Sequence, residues 1–444
     1  MTDIINTLAG IAAQDPLDEL RNHRAQAKDN AQLSFEALLE PEETGEFSHR
    51  DRYAVAAFAA GLLGAPAAEE FYRDLLRDED EVASWAIAEL LDEALLELGS
   101  SSDVRGPYGT FESAALAPEH VPGPWLTVGE KTGEVLGPLL VAGLEFTHLL
   151  VLHPRDSRPE HMALLLDAGW DEDSIVTLAQ LVSFLNFQIR ISTGLTALVH
   201  APAAAGAPVS HHVPSEDAGG TTSARDSSAS SKGSQALARV GERVRTYPEL
   251  ERPELFQQSG LGWVPWIAPV AEAELSDAQR EALIEAGRAN NPYFRLLARD
   301  PAALRARTLT DLDIFFNTTD GLGRAERELA ATVASRLNGC LFCASIHSDR
   351  AAEESGRRDL VQALLDTGIE APSSLGDPVW DAVVDASAAL TLTPQAFGSA
   401  HVNALREAGL ADGDIIDVLG CAAFFNWANR LMLSLGEPEV LARR

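Results

Sequence analysis

Two thiols and an imidazole stand within one short stretch, Cys340-Leu341-Phe342-Cys343-Ala344-Ser345-Ile346-His347. The pair Asn338-Gly339 precedes them, and both residues tolerate the left-handed conformation that ends a helix. Cys340 is therefore expected to open a new helix, with Cys343 in its first turn and His347 four residues further on the same face. A thiol near a helix N-terminus has its thiolate stabilised by the dipole and by free N–H groups. An imidazole one turn beyond Cys343 can take its proton or support its charge. Two cysteines three apart can close a disulfide, and strained geometry makes such bonds readily reducible. A structural zinc site fits less well. Cys340, Cys343 and His347 are three ligands with no second CxxC, where zinc takes four.

The segments around this stretch read as helices. Leu329, Ala330, Val333, Ala334 and Leu337 follow one apolar stripe, on a helix that also carries Glu328 and ends at Asn338-Gly339. Ile415, Ile416, Val418, Leu419, Ala422, Ala423 and Phe424 mark a second, more thoroughly buried helix. Strand-like alternation is scarce, and the run at 149–153 reads as helix or turn. The predicted class is all-α.

The chain is a duplication. Shifted by 240, His161 falls on His401, Gly169 on Gly409, Ile175 on Ile415, Phe184 on Phe424, Asn186 on Asn426, Arg190 on Arg430 and Leu195 on Leu435. Shifted by 275, Arg52 falls on Arg327, Ala56 on Ala331, Ala59 on Ala334, Leu62 on Leu337 and Gly64 on Gly339. The change of shift gives the first half about 35 extra residues, and the segment starting at Ser100 is the candidate. Residues 201–240, rich in Gly, Ser and Ala, read as a flexible linker. The expected organisation is two tandem helical bundles, 1–200 and 241–444, joined by that linker.

The duplication isolates the chemistry. At the 275 shift Cys340 falls on Ala65, Cys343 on Ala68, His347 on Tyr72 and Glu328 on Tyr53, so all four groups vanish together. Glu326 and Arg327 keep their charges as Asp51 and Arg52, which assigns Glu326 to helix structure. The first half is expected to be catalytically silent.

Composition excludes several function classes. With 67 acidic residues against 34 basic ones the net charge is −33, so the chain repels phosphate backbones and anionic membranes. No stretch reaches the roughly 20 uninterrupted apolar residues of a membrane span. The N-terminal stretch lacks the basic and apolar regions of a signal peptide, and a cytoplasmic location is expected. Three cysteines in 444 residues rule out a secreted disulfide scaffold.

Glu328-x11-Cys340-x2-Cys343-x3-His347, with Asn338-Gly339 before the first cysteine, resembles the signature of AhpD-type alkyl hydroperoxidases in the carboxymuconolactone decarboxylase-like superfamily. Asn291-Pro-Tyr-Phe-Arg295, Arg324-Ala-Glu-Arg-Glu-Leu329 and Phe424-Phe-Asn-Trp427 extend the resemblance over most of 258–440. It implies that Cys343 is the peroxidatic nucleophile, deprotonated through His347. Cys340 would be the resolving cysteine, and Glu328 would complete a proton relay through His347 or water. It also implies a hydroperoxide substrate, a dithiol reductant (a protein or a lipoyl group), no metal or flavin, and a homo-oligomer. Some members carry a histidine between the cysteines, where this chain has Leu341-Phe342.

Other polar residues receive plainer readings. Cys421 falls on Leu181 and is assigned to core packing. His161 and His401 share a repeat position, as do Asn186 and Asn426 and Arg190 and Arg430, so all are read as structural. His211-His212 lies in the linker. Trp263, Trp266 and Trp427 are assigned to the core, with the pocket wall as the other option. Besides a thiol peroxidase, two functions stay open: a non-redox lyase or isomerase of the same fold, and a non-enzymatic dithiol sensor.

Overall fold

The computed structural model describes residues 3–101, 104–201, 243–317, 319–368 and 375–441. The segment read as a linker lies outside the described residues beyond Ala201. Helices dominate. The one sheet among the described residues is a two-stranded antiparallel ribbon, Gly262–Pro265 against Gly436–Glu439, with Gly262 opposite Glu439. The run at 149–153 falls at the end of the helix Pro138–Leu152. The helix Glu172–His200 is long and apolar enough to cross a membrane, yet 94% of its most apolar window is buried inside the protein.

Six helices of the first half have counterparts in the second. Ala25–Leu39 corresponds to Pro301–Phe316, His49–Leu62 to Arg324–Asn338, and Pro66–Glu79 to Leu341–Ser355. Pro138–Leu152 corresponds to Pro378–Thr391, Pro159–Ala168 to Ser399–Glu407, and Glu172–His200 to Asp412–Ser434. The copied residues do the same local work in both copies. Arg52 donates to the carbonyls of Phe47 and Leu38, and Arg327 donates to those of Leu322 and Ile314. His161 Nδ1 accepts from the Arg158 backbone N–H at 3.0 Å, and His401 Nδ1 accepts from that of Gly398 at 3.1 Å. Gly64 and Gly339, at φ +70° and +78°, follow equivalent helices in the left-handed conformation. His161 and His401 each cap the start of their own helix, in line with the structural reading of that pair.

The halves meet through their own counterparts. Ala25–Leu39 packs on Pro301–Phe316, and Glu172–His200 packs on Asp412–Ser434. Contact between equivalent elements is what a pseudo-twofold arrangement requires. Two arginines make the reciprocity explicit. Arg430 Nε donates to Leu150 O at 2.8 Å and its Nη2 to Val151 O at 3.1 Å. Arg190 Nη2 donates to Thr391 O, also at 3.1 Å. Val151 and Thr391 are equivalent positions in the repeat. Each arginine also holds its own asparagine, Arg190 on Asn186 Oδ1 and Arg430 on Asn426 Oδ1. One apolar cluster runs through both halves, with Trp427 against Phe184 and Phe187. The two bundles thus pack as one body.

The extra segment of the first half straps onto the second. Arg336 makes a bidentate pair with Glu119 at 2.6 and 2.7 Å, and Ser113 Oγ donates to Glu254 O. Phe111 and Leu116 pack with Phe256, Ala344, Leu365 and Leu341, on the back of the cysteine helix.

A shared core should unfold as a unit. Arg430→Met would strip two buried carbonyls of their donor, at a cost of about 2–4 kcal/mol. In urea, far-ultraviolet circular dichroism and tryptophan fluorescence are expected to shift together to a lower midpoint. Separate transitions for the two halves would contradict the shared core.

Candidate active site

Four groups come together where two helices of the second half meet. The helix Arg324–Asn338 ends at Gly339, and Asn338 anchors the break by donating its side-chain amide to Asn426 Oδ1 at 3.1 Å. Cys340 is then the N-cap residue of the helix Leu341–Ser355, and its carbonyl accepts from Ala344 N at 3.0 Å. Cys343 lies on the first turn and His347 on the next, as the spacing predicted. Both cysteines are free thiols and close enough to hydrogen-bond to each other. All four groups are buried: Glu328 is 0% exposed, Cys340 1%, Cys343 4% and His347 8%.

Glu328 reaches His347 from the preceding helix. Its Oε2 lies 2.5 Å from His347 Nδ1, and its Oε1 accepts from Arg324 Nε at 2.6 Å. Burial alone would push the Glu328 carboxyl up. The His347 imidazole, by charge and hydrogen bond, and the Arg324 and Arg350 guanidiniums outweigh it and push the pKa down to about 2. An ionised Glu328 accepts a hydrogen bond, which places a proton on Nδ1 and leaves Nε2 as the basic nitrogen. The ring is held against Phe425, at 4.1 Å between centroids, and against Phe315. Burial, and then the adjacent Cys343 sulfur, push the Cys340 thiol well above its usual range.

Cys343 and His347 line a cavity of about 80 Å³, walled by Phe315, Phe424 and Phe425 and bordered by Tyr293 and Arg307. The Tyr293 hydroxyl is buried without a hydrogen-bond partner, and desolvation pushes its pKa up to about 12. Cys340 lines a different and larger space, a cleft of about 660 Å³. Trp263, Phe342 and Met432 border both spaces. Trp266 lines the cleft, whereas Trp427 is in the core.

The departure at Leu341-Phe342 thus has a physical account. Leu341 receives the strap of the first half, and Phe342 stands between the two spaces. Sequence reasoning left Arg324, Tyr293 and Arg307 without roles. The first was detectable as a cation four residues before Glu328 on one helix. The other two lie on the helices Pro292–Leu297 and Pro301–Phe316, and only tertiary packing brings them to Cys343.

The equivalent place in the first half is filled with side chains. Ala65 is the N-cap residue of its helix, Ala68 is buried, and the Tyr72 hydroxyl donates to Gln188 Oε1. Glu326 accepts from Trp380 Nε1 at 3.1 Å, which is the structural role read for it. Cys421 is fully buried in the core helix Asp412–Ser434, and desolvation raises its pKa.

Residues 301–374 match the model of the Carboxymuconolactone decarboxylase family. No curated protein and no solved structure matches the chain. The matched stretch contains Glu328, Cys340, Cys343 and His347, and it runs through the two helices that assemble them. The likeness to this family is thus carried by the segment that holds the four groups.

Proposed function

We propose that the protein is a thiol peroxidase that reduces organic hydroperoxides with the pair Cys343 and Cys340. The observation that carries this reading is the 2.5 Å contact of His347 Nδ1 with Glu328 Oε2, at the wall of the cavity that holds the Cys343 thiol. His347 Nε2 takes the Cys343 proton, and the positive charge that forms is stabilised by Glu328. The thiolate attacks the terminal oxygen of the hydroperoxide and breaks the O–O bond. The leaving alkoxide takes the proton from His347, which gives an alcohol and a sulfenic acid on Cys343. The Cys340 sulfur then attacks Sγ of Cys343, water departs, and a Cys340–Cys343 disulfide closes. Burial keeps Cys340 protonated, and so inert as a nucleophile, until the sulfenic acid forms beside it. An external dithiol restores both thiols by exchange. Aromatic walls suit a hydroperoxide with an apolar tail.

Cys343→Ser should slow consumption of tert-butyl hydroperoxide by about 10³-fold or more in stopped flow. Cys340→Ser should react once and stall as a sulfenic acid that dimedone captures. Undiminished turnover by Cys343→Ser would end the peroxidase reading.

Glu328 supplies a stability test. Its folded pKa, about 2, lies below the ordinary 4.5, so its contribution is fully present above pH 4.5 and is lost as the pH falls toward 2. Glu328→Gln should therefore lower the urea midpoint most at neutral pH. Its deficit against wild type should shrink across that acid window. A deficit that stays constant throughout would mean that the carboxylate is not held ionised by its partners.

A further inference from the structure

The two sulfurs open onto different spaces, and the first half builds a wall of only one of them. Cys343 faces the aromatic cavity made by the second half. Cys340 faces the cleft of about 660 Å³, whose lining includes Phe111 and Arg155 of the first half. That volume is typical of a small-molecule site.

Arg155 is the unusual group in this cleft. It is 9% exposed, and its Nη2 donates to the carbonyls of Leu337 and Pro107, both at 3.0 Å. It lies directly over Gly339, where an added Cβ would stand 3.2 Å from its Nε. That Nε has no hydrogen-bond partner. Among the described residues no carboxylate forms an ion pair with it: Asp156 is taken by His153 and Thr110, and Glu119 by Arg336. The cleft's other arginines are spent, Arg158 on Glu112 and Arg252 on Glu437. The exposed carboxylates Glu160 and Glu254 also border it. Asp156 and Glu119 act on the Arg155 guanidinium through space, but burial outweighs them, and a ligand carboxylate bonded directly to it would relieve that cost.

The duplication adds a second, independent sign. The repeat equivalent of Arg155 is Gln395, and the adjacent Pro394 packs over Gly64 as Arg155 packs over Gly339. A cation stands over the glycine that precedes Cys340, and an amide stands at the equivalent place, where Ala65 replaces the cysteine.

We propose that this cleft is the reductant's site, where a low-mass dithiol bearing a carboxylate sets that carboxylate on Arg155 and attacks Sγ of Cys340. The inference rests on the redox pair proposed above. One thiolate of the dithiol bonds to Cys340, the Cys340–Cys343 bond breaks, and the electron pair leaves on Cys343, which is protonated through His347. The second thiol then attacks the dithiol's own sulfur in the mixed disulfide. Cys340 departs with a proton, and the reductant leaves as a disulfide, two electrons poorer.

The test starts from full-length protein oxidised with diamide, so that it does not depend on peroxide turnover. Reduction by dihydrolipoate, a 1,3-dithiol that carries a carboxylate and closes to a five-membered cyclic disulfide, is compared with reduction by dithiothreitol, which carries none. Arg155→Gln is expected to slow the first about tenfold and to leave the second within about twofold, with partial rescue by Arg155→Lys. An equal effect on both reductants, or none on either, overturns the assignment of the cleft. The attacked sulfur is read with mercaptosuccinate, a monothiol that stalls at the mixed disulfide. Peptide mapping should place the adduct on Cys340, and an adduct on Cys343 overturns the entry side. If diamide closes no Cys340–Cys343 bond, the peroxidase reading falls and takes this inference with it. If the bond closes without the Arg155 selectivity, only the cleft assignment falls.

Discussion

A carboxylate with no exposed surface stays ionised only where donors and cations replace the water it has lost. Glu328 meets that condition through His347 on one oxygen and Arg324 on the other. The contact ties the helix Arg324–Asn338 to the helix Leu341–Ser355 across the sharp break at Gly339. It also fixes the imidazole's tautomer, and hence which nitrogen faces the chemistry. Removing His347 would leave a buried charge with one partner fewer. The same pair therefore orients the site and stabilises the turn on which both cysteines sit.

Duplication allows this arrangement to be asymmetric. The pseudo-twofold interface is maintained by groups present in both halves: Arg190 and Arg430 across it, and Arg52 and Arg327 within each copy. None of these pairs depends on the cysteines. The first half has neither thiols nor an imidazole at the equivalent positions, where Tyr72 donates to Gln188 instead. Its inserted strap meanwhile packs against the cysteine helix of the other half. One half carries the four groups, and the other forms part of their surroundings.

What was legible in the sequence depended on the range of the interaction. Helices announced themselves through apolar periodicity, and the Asn338-Gly339 break through the conformations those residues tolerate. The Cys340, Cys343 and His347 cluster is local to one helix, so spacing alone placed its members. Glu328 is twelve residues upstream of Cys340, and its partner could be named only through the resemblance, which left open a route by water. The structure places it directly on His347. The packing of the repeats was not legible, because the apolar stripes of Glu172–His200 and Asp412–Ser434 say that each is buried and not against what. Tyr293, Arg307 and Arg155 were missed for the same reason. Each is brought to the site by a fold that local pattern does not encode.

The residues between the cysteines show how local and distant constraints meet. A CxxC turn on a helix leaves two intervening side chains, which cannot both point toward the sulfurs. Here Leu341 faces the strap of the first half and Phe342 borders both the cavity and the cleft. An apolar wall at that point separates a small, aromatic space at Cys343 from a wider, partly charged one at Cys340. A disulfide spanning such a wall would expose one sulfur to each environment. Two substrates of different size and polarity could then be served by adjacent residues without sharing a binding site. That separation depends on both halves, since neither copy alone encloses the space in front of Cys340.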